Sequence, residues 1–148
     1  GGRSELASKD THAFLEKDTS DPYRALWHYI IQANVDPIKA KQDLLISRDL
    51  LDVQNWATSI VDFYLGDIVE SQVIATLLGD VQSQTQLNNR LCEVYFYLGK
   101  FHAAHGNTTK AENYFKLALS TNVYEYVEHK YARIELNNLR QERRAQIQ

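Results

Sequence analysis

The chain has 148 residues, 44% of them hydrophobic, and a formal net charge of -3 at pH 7. That is enough apolar material for one packed domain or part of one, and the charge gives no general pull toward nucleic acid. Two prolines and six glycines suit helices, a single cysteine excludes an internal disulfide, and no stretch approaches the roughly 18 apolar residues of a membrane span.

Gly1-Gly2-Arg3 followed by Leu6, Ala7, Phe14 and Leu15 reads as a turn and the second helix of a repeat whose first helix lies upstream. The chain also contains no methionine. A piece of a longer protein is therefore expected, with Leu6, Phe14 and Leu15 on an apolar face meant for the missing helix. Asp21-Pro22 then gives an N-cap followed by proline at the first helical position. It opens a helix over 23–33 with Leu26, Trp27, Ile30 and Ile31 as its buried stripe. Asp36-Pro37 repeats the signal and opens 38–47, where Ile38, Leu44 and Leu45 are apolar. A helix over 53–65 follows, carrying Trp56, Ile60, Phe63 and Tyr64 at helical spacing and ending at Gly66. Asp67 with Glu70 reads as a capping box for a short helix to Leu78, stopped by Gly79. A longer helix is expected over about 87–105, another over 107–121, and a last one from 124 to about 140. No segment alternates with a period of two, so no sheet is predicted.

The most regular part lies at 92–125. Tyr95, Leu98-Gly99, His102, Gly106, Ala111, Phe115 and Ala118 reproduce the tetratricopeptide spacing of a bulky residue, Leu-Gly, an aromatic and Ala-x3-Phe. Tyr95 stands for the usual Trp, His102 for the usual Tyr, and Val123 sits where Pro is expected. Gly99 and Ala111 let two helices approach closely. Tyr95, Leu98, Phe115 and Ala118 fill the seam, Gly106 and Asn107 supply the turn, and Thr109 with Glu112 forms a capping box. Phe-Tyr-Leu-Gly recurs at Phe63 and Phe96. The first copy is followed by a helix stop and the second by a continuing helix, so the middle of the chain is repeat-like without being regular. The fold class is all-α, an α-solenoid of roughly seven or eight helices stacked as pairs. Such repeats hold partners rather than perform chemistry.

Longer strings sharpen this. The chain resembles the C-terminal half of the lipoprotein NlpI family, periplasmic tetratricopeptide proteins of Gram-negative bacteria. The likeness is carried by Asp21-Pro22-Tyr23-Arg24-Ala25-Leu26-Trp27, Ile60-Val61-Asp62-Phe63-Tyr64-Leu65-Gly66, Phe96-Tyr97-Leu98-Gly99-Lys100, Phe115-Lys116-Leu117-Ala118, and Asn122-Val123 with Val127-Glu128-His129-Lys130-Tyr131-Ala132. It runs from Gly1 to about Leu139, and the tail from Arg140 departs from it. The resemblance implies a non-catalytic adaptor at the outer membrane, facing the periplasm and held there by a lipid anchor outside these residues. It implies binding to a processing protease that carries a PDZ domain and to cell-wall hydrolases. No cofactor is implied, and homo-oligomerisation is left open.

Three other readings compete. One is a generic tetratricopeptide binding module with a different partner. Another is a zinc enzyme: His102, His105 and His129 could hold a metal if they converged, although His102 occupies a packing position. The scattered carboxylates Asp62, Glu93 and Glu128 show no acid–base pairing, no phosphate loop or nucleophile motif is present, and Cys92 reads as a buried thiol. The third is a binder of nucleic acid or another anionic surface through Lys130, Arg133, Arg140, Arg143 and Arg144, a cluster that also suits a helix C-terminus. In the adaptor reading the first helix of the clear repeat lines the concave face. The expected partner-binding residues are then Glu93, Phe96, Lys100 and Ala103, with Lys130 at the rim.

Overall fold

The computed structural model describes residues 18–121 and 127–147. Leu6, Ala7, Phe14, Leu15 and Val123 lie outside the described residues, as does the expected helix start at Tyr124. Seven helices occupy the described chain, and no strand occurs among the described residues. They are α1 (Pro22–Ala33), α2 (Pro37–Arg48), α3 (Thr58–Leu65), α4 (Glu70–Leu78), α5 (Gln84–Ala104), α6 (Thr108–Ser120) and α7 (Val127–Ile147). The chain divides into two compact units, Gly1–Thr76 and Leu77–Gln148.

In the first unit α1, α2 and α3 pack on one another. Both proline starts form as expected. The Asp21 carboxylate accepts from the Tyr23 amide at 2.9 Å and the Asp36 carboxylate from the Lys39 amide at 3.0 Å. Each cap satisfies an amide that the helix itself leaves without a partner. Leu26, Ala40, Leu44, Ile60 and Val61 form the centre of the core. Tyr29 meets the buried Tyr64 edge to face at 5.5 Å, joining α1 to α3. The Arg48 guanidinium grips both oxygens of Asp62, at 2.5 and 3.3 Å, and joins α2 to α3.

One helix is shorter than its periodicity predicts. The expected start at Val53 moves to Thr58, because short polar side chains take the backbone groups first. Asp52 accepts from the Gln54 amide at 2.9 Å, Asn55 accepts from the Ala57 amide at 3.0 Å, and Thr58 donates its hydroxyl to the Asp52 carbonyl at 2.7 Å. Gly66 then ends α3 in the left-handed region, φ 87°. Its amide donates to the Phe63 carbonyl and the Asp67 amide to the Asp62 carbonyl, the paired closure of a Schellman stop. The start of α4 also differs from expectation: the Gln72 amide oxygen, rather than Asp67 with Glu70, answers the Val69 amide at 2.9 Å. At its other end the left-handed residue is Asp80, φ 55°, not Gly79. Arg90 donates to the Leu77 and Gly79 carbonyls at 2.9 and 2.7 Å and closes that end.

The second unit is built on the α5–α6 pair, with α7 packed against both. Ser83 caps α5 through the Gln86 amide at 3.1 Å, so the helix begins at Gln84, ahead of the expected Leu87. It ends at a second Schellman stop, with Gly106 at φ 78° and the Asn107 amide donating to the His102 carbonyl at 2.9 Å. The expected Thr109–Glu112 capping box does not form. Here α6 starts at Thr108 with Asn107 at the cap, and Glu112 is buried beside Arg143 at 2.9 Å. The last helix runs to Ile147, beyond the expected end near Arg140.

The repeat seam matches its sequence pattern in detail. A Cβ placed on Gly99 would meet the Phe115 ring at 2.6 Å, inside any tolerable contact. Ala111, Phe115 and Ala118 from α6 and Leu98 from α5 are fully buried. Tyr95 and His102 stack on Tyr114 from one side of the pair, centroids 6.1 and 5.6 Å away. Phe115→Ala should therefore cost on the order of 3–5 kcal/mol, the range for a buried aromatic. Gly99→Ala and Ala111→Leu should each cost roughly 1–3 kcal/mol by overpacking. Chemical denaturation followed by circular dichroism measures all three, and an unchanged midpoint removes that residue from the seam.

Candidate functional site

The partner-binding face expected on α5 is largely interior. Phe96 is 1% exposed, with its ring 6.2 Å from Phe115 and 5.2 Å from Tyr97. Glu93 is buried and Ala103 half-buried. Lys100 donates to the Glu135 carboxylate of α7 at 2.9 Å. Lys130 alone of the five is exposed. The physical reason is packing within the unit: α7 engages Lys100, and Phe115 of α6 meets the Phe96 ring. With its ring enclosed, Phe96 does not serve as an aromatic anchor on the surface.

The grip of α7 includes several polar contacts. Among its described side chains only Ala132 and Leu136 are buried hydrophobics. Its polar contacts include Lys100–Glu135, Arg143–Glu112, the Tyr97 hydroxyl donating to Glu128 at 3.2 Å, and the His129 ring nitrogen 3.2 Å from the Leu119 carbonyl. A partly exposed pair such as Lys100–Glu135 contributes about 0.2–1 kcal/mol. Arg143 is thus tied down within the basic tail, while Arg133, Arg140 and Arg144 are exposed.

The residues considered for chemistry are placed apart. His102 stacks on Tyr114, His105 stacks on Phe101 at 4.1 Å, and His129 faces the Leu119 carbonyl. Among the described residues no group of three or more His, Cys, Asp or Glu side chains is arranged to hold a metal ion. Burial pushes the Cys92 thiol up to about 11, so it is protonated and a poor nucleophile at neutral pH. Among the described residues no helix is long and apolar enough to cross a membrane.

An open face lies elsewhere, on α2. Ile38 and Leu45 are 73% and 59% exposed. With Tyr29 from α1 they line an open groove of about 440 Å³, completed by Pro37, Lys41 and Gln42. By sequence, Ile38, Leu44 and Leu45 form one apolar set. The available signal was their position: Ala40 and Leu44 occupy one side of the helix and are buried, while Ile38 and Leu45, seven residues apart, share the opposite side. The helix thus has a second apolar side that the core of its unit does not use.

The buried Glu128 gives this unit a pH dependence. Burial raises its pKa above the ordinary 4.5, against the opposing hydrogen bonds from backbone and from Tyr97. The folded chain then holds a proton that the unfolded chain releases, so this contribution is full below 4.5 and is lost as pH rises through the raised value. Glu128→Gln keeps an acceptor for Tyr97 and removes the titration. Urea midpoints measured from pH 4 to 8 should fall for the parent relative to the variant, and parallel curves would show that Glu128 is not held neutral.

No protein-family model matches the chain, so its functional reading rests on the packing and the sequence strings described above.

Proposed function

We propose that the chain is a non-catalytic protein–protein adaptor of the NlpI type. In this reading it works at the outer membrane on the periplasmic side and brings a PDZ-containing processing protease together with cell-wall hydrolases. The observation that carries the reading is the α5–α6 pair. Gly99 against Phe115, with Ala111 and Ala118 buried in the same seam, is the close helix contact on which a tetratricopeptide pair depends. Repeats of that kind present surfaces along a stack. The irregular strings shared with the family supply the named partners. A protonated Cys92 and three histidines engaged in separate contacts support a role without chemistry.

The burial of Phe96 moves the expected docking surface away from α5. The exposed side of α2, with Ile38 and Leu45, replaces it as the face to vary. The experiment is a reconstituted degradation assay with protease and hydrolase. It is run with this chain, with any longer gene product that contains it, and with neither. Faster turnover of the hydrolase in the presence of the adaptor is expected, and the chain alone should cleave nothing. If neither form changes binding or turnover, the adaptor reading for this pair of partners fails.

A further inference from the structure

The α2 groove is open, apolar and singly charged. Lys39 is neutralised within its own helix by Asp43 at 3.3 Å. Lys41 is different: it is exposed in the groove wall and has no ion partner among the described residues. Among the described residues that line the wall it is the only charged side chain. From Ile38 to Leu45 the face is about 10 Å long at 1.5 Å per residue, two helical turns. A partner helix offers matching side chains at i, i+3 or i+4, and i+7.

We propose that this groove docks an amphipathic helix of a partner protein that carries a carboxylate to meet Lys41. An apolar side chain of that helix seats between Ile38 and Leu45, against Tyr29, and a Glu or Asp one turn away reaches the ammonium. Charge decides between this occupant and a second copy of the chain. If two α2 helices met antiparallel through this face, the two-fold axis would pass midway between Ile38 and Leu45, beside Lys41. Symmetry would then bring the two Lys41 ammonium groups together, a like-charge contact that opposes association. An acidic helix from another protein removes that repulsion and neutralises the cation. The inference rests on the adaptor reading and assigns it a surface and a partner chemistry.

The test uses the whole chain and two synthetic helical peptides with the same leucine face, one flanked by Glu and the other by Lys. Binding is read by fluorescence anisotropy. The Glu peptide should bind at least about tenfold tighter than the Lys peptide, with the gap shrinking as salt rises. Lys41→Glu should invert the order, and Leu45→Ser should weaken both peptides. Both positions are exposed, so circular dichroism should show unchanged helix content. Equal binding of the two peptides, no binding of either, or an order unaffected by Lys41→Glu overturns the proposal. A dimer in sedimentation velocity that Leu45→Ser dissolves also overturns it, because a second copy then owns the face. The two readings fail separately. Peptide binding without bridging of protease and hydrolase defeats the adaptor, whereas bridging that survives Lys41→Glu and Leu45→Ser defeats the groove.

Discussion

The second unit depends on one missing methyl group. At Gly99 the backbone of α5 comes so close to the Phe115 ring that no side chain fits between them. That approach brings Leu98, Phe115 and Ala118 into a single dry seam and sets the spacing at which Tyr114 receives the rings of Tyr95 and His102. Interiors are packed to crystal-like density, so a small residue at one crossing governs the fit of every larger one around it. The docking of α7 follows, since it lies on the surface that the pair creates.

That surface is occupied by a helix held with few hydrophobic groups. Ala132 and Leu136 supply the buried apolar contact, and ion pairs and buried polar groups supply the rest. Such contacts are directional and add more to register than to strength. The first unit has the opposite arrangement. Its apolar residues exceed what its own core uses, and the surplus is displayed on α2. One unit has therefore covered its expected binding face with its own chain, while the other leaves an unexpected one open.

What was legible in the sequence was local chemistry. Asp-Pro starts, the glycine stops at Gly66 and Gly106, and the small Gly99 and Ala111 at the helix crossing each depend on a few neighbouring residues whose geometry allows one solution. The errors arose where two local signals competed or where a distant element intervened. The apolar spacing from Val53 pointed to a helix, but Asp52, Asn55 and Thr58 captured the backbone first. Thr109 and Glu112 had capping-box spacing, yet Glu112 had a distant cation available in Arg143. Phe96 sat on the face assigned to a partner, and nothing local announced that its ring would be enclosed with Phe115 of α6 against it. Ile38 and Leu45 read only as apolar alongside Leu44, because exposure is a property of the whole packing, not of one helix.

The burial of Cys92 gives the second unit an intrinsic reporter. It is the chain's one thiol, fully enclosed, raised to about 11 by burial, and within reach of the Thr121 hydroxyl and the charge of Glu128. A thiol reagent can reach it only after the helices around it part. Its labelling rate in native buffer thus counts those openings directly, and comparison with the rate of an unfolded thiol converts the count into an opening equilibrium. Because Thr121 and Glu128 flank it, the same rate registers the parting of α7 from the α5–α6 pair, without any probe having to be engineered into the protein.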